Sequence, residues 1–112
     1  MSHDPKVCFI DALDACQQIL DFTKAISFEE YRGNNLIKSA VERKFEIIGE
    51  ALNRIRRIDP LQLESVSDAE QIIGFRNVII HGYDSISDKI VWDTVDEAVP
   101  LLLKELNAKI KE

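Results

Sequence analysis

Phe75-Arg76-Asn77-Val78-Ile79-Ile80-His81-Gly82-Tyr83 is the stretch that decides how the rest of the chain folds. It holds one of the two histidines and sets Arg76, Asn77, His81 and Tyr83 inside an apolar segment that begins at Ile72. A helix apolar on most of its circumference is a buried helix, so the segment predicts a core helix ending at His81. Arginine is almost never fully buried unless paired. Arg76 therefore requires either a carboxylate partner or an opening to solvent or ligand. On a helix advancing about 100° per residue, Asn77 and His81 share a face at i and i+4. An Asn there could hold one imidazole nitrogen and set which nitrogen faces outward. Arg76 and His81 lie five residues apart, roughly 140° around the axis. One helix does not aim both at a single atom; two copies meeting across a two-fold axis could. Gly82 fits the position that ends a helix in a left-handed turn. His81 then falls in the last turn, where the carbonyl ends favour a cation.

Upstream, the same logic places three helical segments. Asp4-Pro5 is an N-cap followed by a proline at the first helical position, with Phe9, Leu13, Cys16 and Leu20 as the apolar stripe of a helix ending near Lys24. Ser27-Phe28-Glu29-Glu30 is a capping box for a short turn, broken at Arg32-Gly33-Asn34. A long helix is predicted over 35–58, with Ile37, Val41, Phe45, Ile48, Leu52 and Ile55 facing inward. Arg43, Glu46, Glu50 and Arg54 follow another face at spacings of three and four. They can pair among themselves, or Glu46 or Glu50 can supply the partner that Arg76 requires. Asp59-Pro60 ends the helix. After a connector, Ser67-Asp68-Ala69-Glu70 reads as a second capping box, opening the helix of the central stretch. Beyond a loop at 83–86, Val91, Val95, Val99, Leu102, Leu106 and Ile110 form the stripe of a last helix. Pro100 is expected to kink or split it. No strand alternation occurs. The expectation is an all-α, up-and-down bundle of four main helices plus short turns, as one domain over 1–112.

The chain has 112 residues, 46% of them hydrophobic and 30% charged, which describes a globular sequence. It has no run of 18 apolar residues, so the expected location is cytoplasmic, with no membrane contact. Cys8 and Cys16 sit about 12 Å apart along one predicted helix, too far to bridge, and read as reduced core residues. Two histidines and no clustered cysteines give no metal signature, and no cofactor is expected. With 14 basic and 20 acidic residues the net charge is −6, which argues against a broad nucleic-acid surface. Any such site must be local. Basic residues concentrate between Arg32 and Arg57, an asymmetry that permits a basic groove and equally describes a solvated face.

Arg76, four residues, His81, one residue, Tyr83 resembles the Arg-X4-His-X-Tyr motif of the HepT-like branch of the HEPN proteins. Asn77 matches the polar residue that often follows the motif arginine. The resemblance extends to Glu42-Arg43-Lys44-Phe45-Glu46-Ile47-Ile48-Gly49-Glu50-Ala51-Leu52, which is similar to the second-helix signature. It extends also to Val91-Trp92 and Pro100-Leu101-Leu102 of the last helix. It implies a HEPN-like bundle forming a homodimer with a composite site. It further implies a metal-independent endoribonuclease: the toxin of a toxin–antitoxin pair, partnered by a minimal nucleotidyltransferase antitoxin that transfers AMP to Tyr83.

The residue chemistry is compatible. RNA carries its own nucleophile, the 2′-hydroxyl. His81 can act as base or acid near neutral pH, and Arg76 can pair bidentately with phosphate oxygens. Asn77 would orient His81 or contact the phosphate, and Tyr83 could donate a hydrogen bond or stack on a base. The alternative is a catalytically weak binding module that serves as partner and substrate of the nucleotidyltransferase.

Overall fold

Asp4 accepts a hydrogen bond from the Lys6 amide at 2.9 Å, and Pro5 opens helix α1 (Pro5–Thr23). In this computed structural model, which describes residues 4–81 and 87–112, α1 is followed by α2 (Phe28–Arg32) and α3 (Asn35–Ile58). A 3-10 turn (Pro60–Leu63), α4 (Ala69–His81) and α5 (Asp88–Ile110) complete the chain. Among the described residues there is no strand. The Ser27 capping box forms in both directions, Ser27 Oγ accepting from the Glu30 amide and Glu30 accepting from the Ser27 amide, each at 3.1 Å. Asn34 caps α3 through the Ile37 amide at 3.0 Å, and Ser87 caps α5 through the Ile90 amide at 3.3 Å.

The second predicted capping box does not form. Ser67 is held by Glu105 of α5, which accepts from its amide at 3.0 Å and from its hydroxyl at 2.6 Å. A partner 38 residues away thus takes the serine that local pattern assigned to the start of α4. Of the two outcomes expected at Pro100, a kink or a split, the split does not occur, since α5 runs unbroken from Asp88 to Ile110. Pro100 stands on the exposed face, where the carbonyl left without its helical donor meets water rather than the core.

The four long helices alternate in direction. Cys8 and Asp11 of α1 meet Ala51 and Arg54 near the end of α3. Phe9 lies under Lys109 of α5, while Leu20 shares a wall with Val95. Arg56 of α3 bonds Glu70 at the start of α4. The core is one cluster in which Val41, Phe45, Ile48, Leu52 and Ile55 of α3 are fully covered, as are Val99 and Leu106 of α5. On α1 the buried stripe is rotated from the predicted one. Ala12, Cys16 and Ile19 are fully enclosed and Leu13 and Leu20 only partly, because small residues let α1 lie close to α3. Cys8 and Cys16 are free and buried.

The seam between α3 and α4 is set by apolar packing. Phe45 and Phe75 meet edge to face at 5.1 Å and 81°, a geometry that adds about 0.5–1.5 kcal/mol beyond area burial. The half-exposed Arg56–Glu70 pair adds at most about 1 kcal/mol. No helix among the described residues is long and apolar enough to cross a membrane.

Candidate functional site

α4 packs chiefly on α3, so it covers only one stripe of its surface. That corrects the expectation of a buried helix. Ala69, Ile72 and Ile73 are buried, whereas Val78 is 54% exposed and Ile80 42%. Gly74, Asn77 and His81 are exposed too. At 3.6 residues per turn, Gly74, Asn77, Val78 and His81 share the uncovered face. A side chain built on Gly74 would meet nothing within 4 Å.

Arg76 stands on the opposite, α3-facing side of α4, in line with Ala69, Ile72 and Ile73, and is half-buried there. Its stem crosses the bare backbone of Gly49, so closely that a β-carbon on Gly49 would fall 2.2 Å from Arg76 Cβ. Its head turns toward the open face, where Nη1 donates to Asn77 Oδ1 at 3.0 Å. Nε is sealed from solvent and has no acceptor among the described residues.

The expected carboxylate partners are not there. Glu50 accepts from Arg54, one turn along its own helix, at 3.3 Å. Neither Glu46 nor Glu50 forms an ion pair with Arg76. The physical reason is Gly49. With no side chain between the helices, Arg76 is held by packing and needs no carboxylate to place it. A guanidinium with one neutral acceptor retains most of its capacity to bind an anion.

Asn77 also behaves differently from one expectation. Its carboxamide oxygen serves Arg76 rather than the imidazole of His81. The pair that shares a helix face is therefore split in role: Asn77 steadies the arginine, and His81, the last residue of α4, has no hydrogen-bond partner among the described residues. Gly82, Tyr83 and the loop through Ile86 lie outside the described residues.

A cavity of 310 Å³ opens between α4 and α5, lined by Asp68, Gln71, Ile72, Phe75, Thr94 and Ala98. It follows the α4 stripe that carries Phe75, on the far side from Asn77 and His81.

A second polar group, not singled out by motif or spacing, lies where α3 and α5 begin. Lys38 of α3 pairs with Asp88 of α5 at 3.1 Å, both partly buried. Glu42 lies nearby on α3. Burial pushes its carboxyl above the usual range; Lys38 opposes that shift, while Asp88 and Glu46 add to it. Tyr31 is fully buried against Trp92, with ring centroids 5.3 Å apart, and its hydroxyl has no partner among the described residues. Burial raises its pKa, with Glu42 and Asp88 contributing. The fourfold recurrence along α3 (Lys38, Glu42, Glu46, Glu50) was visible in the sequence, but the approach of Asp88 and Tyr31 depends on tertiary packing.

The described residues thus form an all-α bundle whose motif helix carries an arginine and a histidine with no carboxylate partner among them. Comparison with known proteins gives the family. The description "Ribonuclease HepT-like" matches residues 12–108, and the chain belongs to that family. It is 36% identical over 104 residues to "Putative RNase MJ1380" of Methanocaldococcus jannaschii, covering 93% of this chain and 94% of that protein. It is 33% identical over 110 residues to "Putative RNase MJ1216" of the same organism, covering 98% of this chain and 90% of that protein. It is 33% identical over 102 residues to "Probable ribonuclease HepT" of Thermococcus cleftensis, covering 91% and 92%. No solved structure matches the chain.

Proposed function

We propose that this chain is a metal-independent endoribonuclease, the toxin of a toxin–antitoxin pair, acting as a homodimer. The observation that carries the reading is the half-buried Arg76, held in place by packing and by Asn77 but neutralised by no carboxylate among the described residues. Leaving a charge unpaired in a partly buried position costs stability. Its use is to meet a negative charge that arrives with a ligand. The relatives' names, a putative RNase and a probable ribonuclease, support RNA as that ligand.

The chemistry follows from the parts. The 2′-hydroxyl of RNA attacks the adjacent phosphorus once its proton is taken. His81 is the base or the acid in this transfer. Arg76 donates to the phosphate oxygens as charge builds in the pentavalent transition state. The 5′-oxygen leaves with a proton, and the upstream product ends in a 2′,3′-cyclic phosphate. Because Arg76 and His81 project in different directions on α4, a second copy supplies the missing group. The exposed apolar residues Val78 and Ile80 suit α4 to face another chain. Net charge −6 confines RNA contact to this local site.

Cleavage of RNA in EDTA, with cyclic-phosphate ends and a dimer mass in light scattering, is the expected result. His81→Ala should lose about 10²–10⁴-fold in rate while remaining folded. Full activity in folded His81→Ala would remove the histidine from the mechanism. A wild-type protein that never cleaves RNA would leave the binding-module reading.

The reading extends to control. Tyr83 follows His81 by two residues, and a nucleotidyltransferase antitoxin that attaches AMP there would place a phosphate and an adenosine beside Arg76, blocking RNA by charge and volume. Incubation with that enzyme, ATP and Mg²⁺ should add adenylyl mass to the wild type and none to Tyr83→Phe. Equal addition to both would show that another residue is the acceptor.

A further inference from the structure

We propose that Gly49 is a positioning residue for Arg76, an inference that rests on the ribonuclease reading above. Glycine inside a helix costs roughly 0.5–1 kcal/mol relative to alanine, and Gly49 stands buried in the middle of α3. What uses that position is the arginine stem. A β-carbon on Gly49 would lie 2.2 Å from Cβ, 2.6 Å from Cγ and 3.3 Å from Cδ of Arg76. Three successive carbons therefore run lengthwise over the bare backbone.

The clash could not be relieved by a rotamer change. Arg76 Cβ is fixed by the α4 backbone, so α4 would have to lift until the carbons reach ordinary contact at about 3.5–4.0 Å. Among the described residues no hydrogen bond or ion pair ties the guanidinium to α3. Its hydrogen bond goes to Asn77, on its own helix and moving with it. The close approach at Gly49 is thus what sets the height of the charge above α3 and keeps Nε out of water.

The test compares Gly49→Ala, Arg76→Gly and the double variant, measuring kcat and KM on RNA together with hydrogen exchange of the Arg76 Nε proton by NMR. Gly49→Ala is expected to lower kcat about 10²-fold, the penalty for misplacing a group by about 1 Å, with KM little changed. Its Nε proton should exchange fast where that of the wild type exchanges slowly. In the Arg76→Gly background, Gly49→Ala should add no further loss, because Gly49 acts through the arginine. The double variant removes the clash, so it should be at least as stable as Arg76→Gly alone.

A Gly49→Ala protein with wild-type kcat and a protected Nε proton would overturn the proposal. So would an equal further loss in the Arg76→Gly background, which would make Gly49 a general packing residue. If Gly49→Ala does not fold, recovery of the fold in the double variant decides for the proposal, and failure decides against it. A wild type inactive on RNA would sink the ribonuclease reading alone, because proton exchange still reports on Gly49.

Discussion

Arg56 and Arg76 both lie on the seam between α3 and α4, and they are treated in opposite ways. Arg56, near the start of α4, donates to Asn53 at 2.6 Å and to Glu70 at 2.5 Å. Close by, Ser67 is tied to Glu105 through both its amide and its hydroxyl. That end of the bundle is a set of satisfied polar contacts. Toward the other end, among the described residues, Arg76 Nε has no acceptor and the Tyr31 hydroxyl no partner, while burial raises the pKa of Glu42 against the pull of Lys38. Buried polar groups in native proteins are nearly all hydrogen-bonded, and each exception calls for a reason. Here the exceptions gather toward the end where α4 finishes and α5 begins. One end of the seam is satisfied within the fold, whereas at the other Arg76 keeps donors that the described residues leave unused.

The largest test of that contrast exchanges the two arginines for alanine. Arg76→Ala should lower kcat on RNA about 10²–10³-fold, the usual loss when a preorganised transition-state donor is removed. Its fold should survive, since no carboxylate among the described residues is left stranded. Arg56→Ala should do the reverse, leaving kcat unchanged and costing about 1 kcal/mol or less in denaturant unfolding. Equal loss of activity from both substitutions would erase the distinction between the two ends.

The same contrast explains how much of the molecule was legible beforehand. Helix starts at Asp4, Ser27 and Asn35 and the stop at Asp59-Pro60 follow from residues within four positions of each boundary, and the structure places them there. Ser67 failed as a cap because its partner Glu105 is remote in sequence. Glu46 and Glu50 were offered to Arg76 because side chains are what a helical wheel displays. Gly49, which positions the arginine, acts through having none. Apolar periodicity overstated the burial of α4, since periodicity records hydrophobic residues but not how many neighbours will cover them. Arg76, Asn77 and His81 stood out by type and spacing, yet the bond from Arg76 to Asn77 in place of one from Asn77 to His81 depends on where α3 holds the stem.

The smallest effect sharpens the contrast from the side of stability. Glu42 is partly buried beside Asp88 and Glu46, with Lys38 the opposing charge, and its folded pKa lies above the ordinary value. A carboxyl with a raised folded pKa binds its proton more tightly in the native state than in the unfolded chain. Its ionised form therefore lowers stability, fully above the folded pKa, and the penalty disappears as pH falls to about 4.3, the unfolded value. Glu42→Gln keeps the shape and removes the charge. It should raise the unfolding free energy at pH 7 by less than about 1 kcal/mol, because the group is partly screened by solvent. The advantage should shrink steadily on acidification and vanish near the unfolded pKa. Arg56→Ala, taken through the same titration, should show no gain at any pH. If Glu42→Gln is instead less stable than wild type at pH 7, the attraction of Lys38 outweighs burial and the neighbouring carboxylates. The end of the bundle that carries Arg76 would then be a neutralised network, like the end that carries Arg56.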